Sequence, residues 1–99
     1  MTLHEMYVYP NPVDNIANII VEHDKPLEPI TIQLYIYDLY GNLIYSEKLS
    51  EVTDASSKIR LDWSVGSSGG DGLYFARVVV EDINGKKSSK STKIFVRKQ

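Results

Sequence analysis

A histidine flanked by two acids is the part of this sequence that most resembles a metal site. Glu22, His23 and Asp24 supply carboxylate and imidazole groups, which commonly bind divalent cations. Consecutive residues of a strand point to opposite faces, however, so these three side chains cannot converge on one ion. The only other histidine, His4, is not at a ligand spacing from them. We therefore expect a solvated strand end here, and neither a metal nor a cofactor.

The glycine-rich segment 66–72 invites comparison with loops that bind phosphate or calcium. It contains Asp71 but lacks the lysine and helix start of a phosphate loop and the repeated acids of a calcium loop. Ser64, Ser67 and Ser68 have no histidine nearby in the sequence, whereas a serine nucleophile needs a base within hydrogen-bond reach. We therefore predict a structural turn, and we predict that the chain is not an enzyme.

Positive charge is concentrated at the end of the chain. Residues 86–99 carry six of the eleven cationic side chains and none of the thirteen acidic ones, so residues 1–85 have a formal charge of −8 and the end has +6. Charge segregation of this kind concerns partners rather than fold. An acidic receptor surface could bind such a strand, with backbone pairing at a sheet edge adding to the attraction. Lysines that only protect an edge strand from aggregation are the alternative.

Nucleic acid is not predicted as a partner of this chain. The net charge is −2, and the cations follow a single strand without an aromatic stacking platform.

Three tyrosines are candidates for a separate binding surface. Tyr35 and Tyr37 alternate with aliphatic residues, so they are expected on the outer face of a strand, with Tyr45 beside them. Outward aromatic rings bind sugars or proteins, and a half-covered position on a sheet is the simpler interpretation. A carbohydrate-binding or passive structural module is therefore an alternative function.

Alternating apolar and polar residues indicate that strands position all of these groups. Asp38 begins a turn in which Gly41 and Asn42 are expected to take positive φ, and Asn84-Gly85 marks a second turn. The two hairpins span 30–49 and 73–98. In the last strand, one face is expected to hold Thr92, Ile94 and Val96, and the other Lys93, Phe95 and Arg97.

Seven short strands within this length predict one all-β domain over residues 1–99, an antiparallel immunoglobulin-like β-sandwich. A small barrel is the alternative topology. Tyr7–Tyr9 is the first expected strand, so residues 1–6 are predicted to be a linker or an expression remnant. Their composition is not that of a secretory signal. Exposed strand edges predict that copies of the domain can associate with one another.

Five segments stand out by their order and spacing. They are Tyr9-Pro10-Asn11-Pro12, Ile36-Tyr37-Asp38-Leu39-Tyr40-Gly41, Leu61-Asp62-Trp63, Asp71-Gly72-Leu73-Tyr74-Phe75-Ala76-Arg77-Val78 and Lys93-Ile94-Phe95-Val96-Arg97-Lys98. Together they resemble the C-terminal sorting domain of cargo proteins of the type IX (Por) secretion system of Bacteroidetes, over about residues 7–99. The first two segments also occur in immunoglobulin-like domains of flagellar hook-capping type. The lysine-rich C-terminus favours the sorting domain.

The resemblance implies a non-catalytic secretion signal attached to an upstream cargo. Such a domain directs the cargo from the periplasm through the outer-membrane translocon to the cell surface or the medium, and a sortase usually removes it. The pattern also fits a terminal domain retained on a processing component of the same system. One departure is that the loop lacks the proline that many members have before Gly-x-Tyr.

The resemblance also assigns roles to particular residues. It implies partner recognition by the last strand and by the segment after the glycine-rich loop, namely Lys93, Ile94, Val96, Arg97 and Lys98 with Gly72, Leu73 and Tyr74. It implies structural turn positions at Tyr9, Pro10, Asn11, Pro12, Asp38 and Gly41.

Overall fold

The computed structural model describes residues 1–66 and 70–98, which form seven β-strands. In chain order these are β1 (Leu3–Tyr9), β2 (Ile16–His23), β3 (Pro29–Tyr37), β4 (Leu43–Val52), β5 (Lys58–Ser64), β6 (Gly72–Glu81) and β7 (Lys87–Val96). Within these two ranges there is no helix long and apolar enough to cross a membrane.

The strands form two antiparallel sheets that pack face to face. One sheet has three strands in the order β1-β2-β5, and the other has four in the order β4-β3-β6-β7. Two packed antiparallel sheets are the predicted immunoglobulin-like sandwich, and the alternative of a small barrel is wrong.

The hydrophobic core lies between the sheets and uses one face of each central strand. Ile30, Ile32, Leu34 and Ile36 of β3 are at most 2% exposed, as their alternation predicted. They meet Ile59, Leu61 and Trp63 of β5 and the buried residues of β2 and β6 in a single cluster. Each buried aliphatic side chain of this kind stabilises the fold by about 1.5–3 kcal/mol.

Each of the two hairpin turns in the four-stranded sheet begins with an aspartate and has a glycine three residues later. In the first, the Asp38 N–H donates to Asn42 O (2.9 Å) and Gly41 N–H donates to Asp38 O (3.1 Å). Oδ1 of Asp38 accepts the N–H groups of Asn42 and Tyr40, each at 2.9 Å. The bond from Asn42 contributes most to lowering the pKa of Asp38 below its ordinary value.

The second turn repeats this pattern with Asp82 and Gly85. Asp82 N–H donates to Lys86 O (2.9 Å), and Oδ1 of Asp82 accepts the N–H groups of Asn84 (2.9 Å) and Lys86 (3.0 Å). Burial opposes ionisation of Asp82, but the hydrogen bonds from Lys86 and Asn84 outweigh it and lower the pKa.

Glycine takes positive φ in both turns, at 84° for Gly41 and 81° for Gly85. The same expectation for Asn42 is wrong. Among the described residues other than glycine, positive φ is confined to Leu27 and Ser57. The turn is closed instead by the bond between the Asp38 N–H and Asn42 O and by glycine one position earlier.

The first strand starts earlier than the sequence predicts. Residues 3–6, expected to belong to a linker, extend β1, and Leu3 is buried opposite His23 of β2. A strand at the edge of a sheet needs few apolar residues, so the short run before Tyr7 gave little signal in the sequence. The middle of the glycine-rich loop, Ser67 to Gly69, lies outside the described residues.

Candidate docking surface around the terminal strand

The end of β7 is joined to the beginning of the chain rather than left open. After β1 the chain passes from one sheet to the other, and Val13 pairs with Val96 in a parallel bridge. Val13 N–H donates to Phe95 O (2.7 Å), and Arg97 N–H donates to Val13 O (2.8 Å). Val13 is itself 1% exposed, so it fixes the terminal strand through both backbone and side chain.

Residues 9–12 connect the end of β1 to this crossing between the sheets. Both X–Pro bonds, Tyr9-Pro10 and Asn11-Pro12, are cis. The Asn18 side chain donates from Nδ2 to Tyr9 O (3.1 Å), which anchors the start of the turn on β2. Pro10, Asn11 and Pro12 lie in the bends between β1 and Val13.

The last described residue, Lys98, is held by the glycine-rich loop. Its backbone N–H donates to Oδ1 of Asp71 (2.7 Å), and its Nζ donates to Gly66 O. These contacts fix the backbone beyond β7, so the terminal cations occupy defined positions relative to the loop.

Three segments that are far apart in sequence enclose an open apolar hollow of about 630 Å³ beside the terminal strand. Residues 11–12, 71–73 and 95–97 line it. Phe95, which is 51% exposed, lies directly opposite Leu73 on the outer face of the sheet. An exposed aromatic ring beside a half-buried aliphatic side chain offers an apolar anchor point to a partner.

Three exposed cations lie along the terminal segment beside this hollow: Arg97 lines it, the Lys98 backbone bonds to Asp71 at its rim, and Lys93 lines the neighbouring groove between β1 and β7. Lys93, Arg97 and Lys98 form no ion pair with any carboxylate in residues 1–66 or 70–98. Their charge is therefore not neutralised by the part of the domain that the structure describes. We call the hollow together with these three cations the docking surface.

Three of the residues to which the resemblance assigned recognition are buried and cannot contact a partner directly. Ile94 and Val96 are 1% and 3% exposed, because in a strand they alternate with the outward Lys93, Phe95 and Arg97. The Tyr74 ring packs edge-on against Trp63 with centroids 5.3 Å apart, and its hydroxyl donates to Gly70 O (2.8 Å). These three side chains therefore support the docking surface from below.

Gly72 and Leu73 lie at the surface, where β6 starts opposite the end of β7. Gly72 has φ of 142°, and a Cβ at this position would meet no atom within 4 Å. Its glycine is therefore required by backbone conformation and not by close packing.

Sequence and structure comparisons identify the family. The sequence model of one protein family, the secretion system C-terminal sorting domain (Por secretion tail), matches residues 7–97, nearly the whole chain. The chain belongs to this family of sorting domains. Domains of this family are non-catalytic signals for type IX secretion. A signal of this type implies export of the protein that carries it to the cell surface or into the medium. No curated protein sequence matches the chain.

A solved structure supports the fold of this sorting domain. Dimeric latent PorU from Porphyromonas gingivalis contains a region that is 26% identical to it, with a TM-score of 0.76. The match covers 95% of the sorting domain and 9% of the PorU chain, so the domain spans a small part of the larger protein.

The three tyrosines of the sorting domain do not form one surface. Tyr35 and Tyr37 lie on the outer face of β3, opposite its buried aliphatic residues, and their rings stack with centroids 6.4 Å apart. Tyr45 pairs with Ile36 and therefore lies on the inner face, where it packs against the core. Its hydroxyl donates to Glu47 Oε2 (2.9 Å), and this bond raises its pKa. A bulge after the first turn sets this register, which alternation alone did not show.

The prediction of a solvated strand end at His23 is wrong, because this side chain is 1% exposed. Its Nδ1 accepts the N–H of Lys25 (3.0 Å), which leaves Nε2–H to donate to Thr53 Oγ1 (2.8 Å). The bond accepted at Nδ1 requires the neutral ring, whereas Nε2–H can donate in either protonation state, and burial lowers the pKa of the ring. The described residues contain no cluster of three or more potential metal ligands.

Sequence reasoning missed Asp71 and Phe95, which line the hollow, and Val13, which holds the end of β7. Phe95 carried a signal, since it is the one aromatic residue on the outward face of the last strand. Val13 and Asp71 carried none, because each acts through hydrogen bonds to a distant part of the chain.

Proposed function

We propose that the docking surface is the part of this sorting domain that the secretion machinery recognises. The domain would carry an attached upstream cargo from the periplasm through the outer-membrane translocon, and a sortase would act on the delivered protein. Three exposed cations without ion pairs in the described residues, Lys93, Arg97 and Lys98, lie along the terminal segment beside an apolar hollow, which Arg97 lines. This observation carries the proposal.

The position of the docking surface suits a domain attached to a cargo. Strand β1 runs from Leu3, which pairs with His23, to Tyr9, which pairs with Asn18, and thus towards the docking surface. The backbone of Thr2 bonds to that of Asp24, far from Lys98 and its loop. An upstream cargo would therefore leave the docking surface accessible.

The fixed backbone at Arg97 and Lys98 favours selective binding. Partners lose less conformational entropy when the contacting groups are already held in place. Surface cations also increase the rate of encounter with an acidic receptor, and this increase falls with ionic strength.

The test is a double charge reversal, Lys93→Glu with Lys98→Glu, in the full-length parent protein in its host. We expect surface delivery to fall about tenfold or more, as for the loss of two charge contacts at an interface, with the melting temperature changed by only a few degrees. The matched control is Lys48→Glu with Lys58→Glu, which reverses two exposed lysines on β4 and β5.

Three results would count against the proposal. The first is normal delivery of the Lys93/Lys98 variant. The second is an equal loss of delivery in the control variant. The third is a large fall in the melting temperature of the Lys93/Lys98 variant, which would show that the loss of delivery comes from unfolding. Removal of residues 93–98 gives the coarser test, since a sorting signal without its terminal segment is expected to leave the cargo inside the cell.

A further inference from the structure

At every second residue of β7, the backbone N–H and C=O groups point away from β6 in the plane of the sheet; we call these groups outward. Phe95 O and Arg97 N face away from β6, because both bond to Val13. Pairing between β6 and β7 runs without a register shift from Gly72↔Val96 to Glu81↔Lys87. The outward orientation therefore repeats at Lys93, Ser91 and Ser89.

These outward groups have no backbone partner within the described part of the chain. Val13 bonds to this edge only at Phe95 and Arg97, and β1 packs against β7 but forms its backbone ladder with β2. The edge of β7 is thus closed at its end and open from Ser89 to Lys93. We call these residues the open edge.

A groove of about 240 Å³ lies between β1 and β7, next to the open edge. Met6 and Val8 of β1 and Thr92 and Ile94 of β7 are among its lining residues. Val13 also lines this groove, and its side chain is buried. An apolar side chain of an added strand would continue this packing.

The charge at the open edge is positive. Lys87 pairs with Glu81 at 3.5 Å, whereas Lys90 and Lys93 form no ion pair in residues 1–66 or 70–98. An edge with unpaired backbone groups and free lysines is complementary to an extended segment that carries acidic side chains.

We propose that the open edge binds an extended acidic segment of a partner protein, which adds a fifth strand to the four-stranded sheet. One of its apolar side chains occupies the groove between β1 and β7. This inference rests on the proposed function. It assigns recognition by the secretion machinery to two parts of β7, the docking surface at its end and the open edge before it. The end of β7 cannot accept a strand because Val13 occupies its edge, so the docking surface acts through side chains and the open edge acts through its backbone.

Proline at Ser91 tests the backbone contact without changing charge. The Ser91 N–H faces outward, so proline leaves the ladder to β6 intact, and edge strands tolerate proline in this orientation. We expect Ser91→Pro to reduce surface delivery of the full-length parent about tenfold, as for a lost interface hydrogen bond with added steric exclusion. Ser91→Ala keeps the N–H and should be delivered like the wild type.

Ser89→Pro with Ser89→Ala repeats the comparison two residues earlier, so a folding defect at one site does not decide the result. If each proline variant melts like its alanine partner and both are delivered normally, the inference is wrong.

Amide hydrogen exchange on the unmodified 99-residue chain provides a test without any variant. The probe is a synthetic peptide of alternating valine and glutamate, with alternating valine and lysine as its control. We expect the acidic peptide to slow exchange at Ser89, Ser91 and Lys93 about tenfold, the effect of forming one hydrogen bond of modest net strength at each. No protection, or equal protection by the cationic peptide, would overturn the proposal.

The two proposals fail in different ways. Normal delivery after removal of residues 93–98 would refute the sorting role itself. Blocked delivery after that removal, with normal delivery of both proline variants, would refute only strand addition at the open edge.

Discussion

The two ends of the sandwich are built in different ways. At the docking end, Val13 and Asp71 hold the terminal strand by hydrogen bonds to its backbone, and the cations and Phe95 remain exposed. At the opposite end, polar side chains are buried: His23, Thr53 and Asp82 are 1%, 4% and 7% exposed.

This difference separates recognition from stability. Buried polar groups must keep their hydrogen bonds, so changes at the opposite end lower the free energy of unfolding. Exposed cations without ion pairs contribute little to folding, so their replacement affects a partner first. A few buried residues at the docking end, above all Trp63 and Tyr74, support it without facing the partner.

The largest effect is expected from a buried residue at the docking end, where stability and recognition should be lost together. Trp63→Ala removes the ring that packs against Tyr74 and should lower the free energy of unfolding by about 3–5 kcal/mol. Urea denaturation measures it, and delivery should fail together with folding. Trp63→Phe keeps an aromatic ring and should lose clearly less. An alanine variant as stable as the wild type would show that this contact does not support the docking surface.

At the opposite end, Thr53→Val tests the buried hydrogen bond. Valine removes the acceptor of the His23 Nε2–H and should cost about 1–3 kcal/mol, the penalty of leaving a buried donor unpaired. Thr53→Ser retains the hydroxyl as a control. Because this site is far from the docking surface, the folded Thr53→Val variant should still be delivered. Loss of delivery by a variant that folds would contradict the separation of recognition from stability.

A smaller effect follows from pH. Burial lowers the pKa of His23, with Asp24 and Glu51 opposing and His4 adding to the shift, so the unfolded chain binds this proton at a higher pH than the folded one. Stability should be full above about pH 6.5 and fall as the pH drops below it, by at most about 1.4 kcal/mol per pH unit.

The aspartates give a separate window at lower pH. Asp24, Asp38, Asp54 and Asp82 have lowered pKa values, so their stabilisation is present above pH 3.8 and is lost as the pH falls through the folded values.

Denaturation of the wild type and His23→Gln between pH 7.5 and 5 isolates the contribution of the histidine, because the aspartates stay ionised in this range. An unchanged slope in the variant would contradict its role.

The smallest effect compares the two hairpin turns directly. Gly41→Ala, in the turn at the docking end, and Gly85→Ala, in the turn at the opposite end, each place a Cβ on a backbone with positive φ. Each should cost about 1 kcal/mol. Because neither Cβ would meet an atom within 4 Å, the two losses should be similar. A large difference in melting temperature would show that the turns are not equivalent.

Local pattern predicted most of the fold. The alternation in β3 and β5 identified the buried faces, and the turn signals at Asp38–Gly41 and Asn84-Gly85 located both hairpins. The outward positions of Lys93 and Arg97 followed from the same period of two. Pattern failed where one residue decided the outcome: the bulge near Tyr37 turned Tyr45 inward, and His23 proved to be buried.

The sequence by itself determined which side chains share a strand face, where the chain turns and where positive charge accumulates, because these are properties of neighbouring residues. Only the tertiary structure decided that Val13 closes the end of β7, that Asp71 holds Lys98 and that the edge before them stays open. These contacts join segments from opposite ends of the chain. They depend on the packing and register of two sheets, which no local pattern specifies.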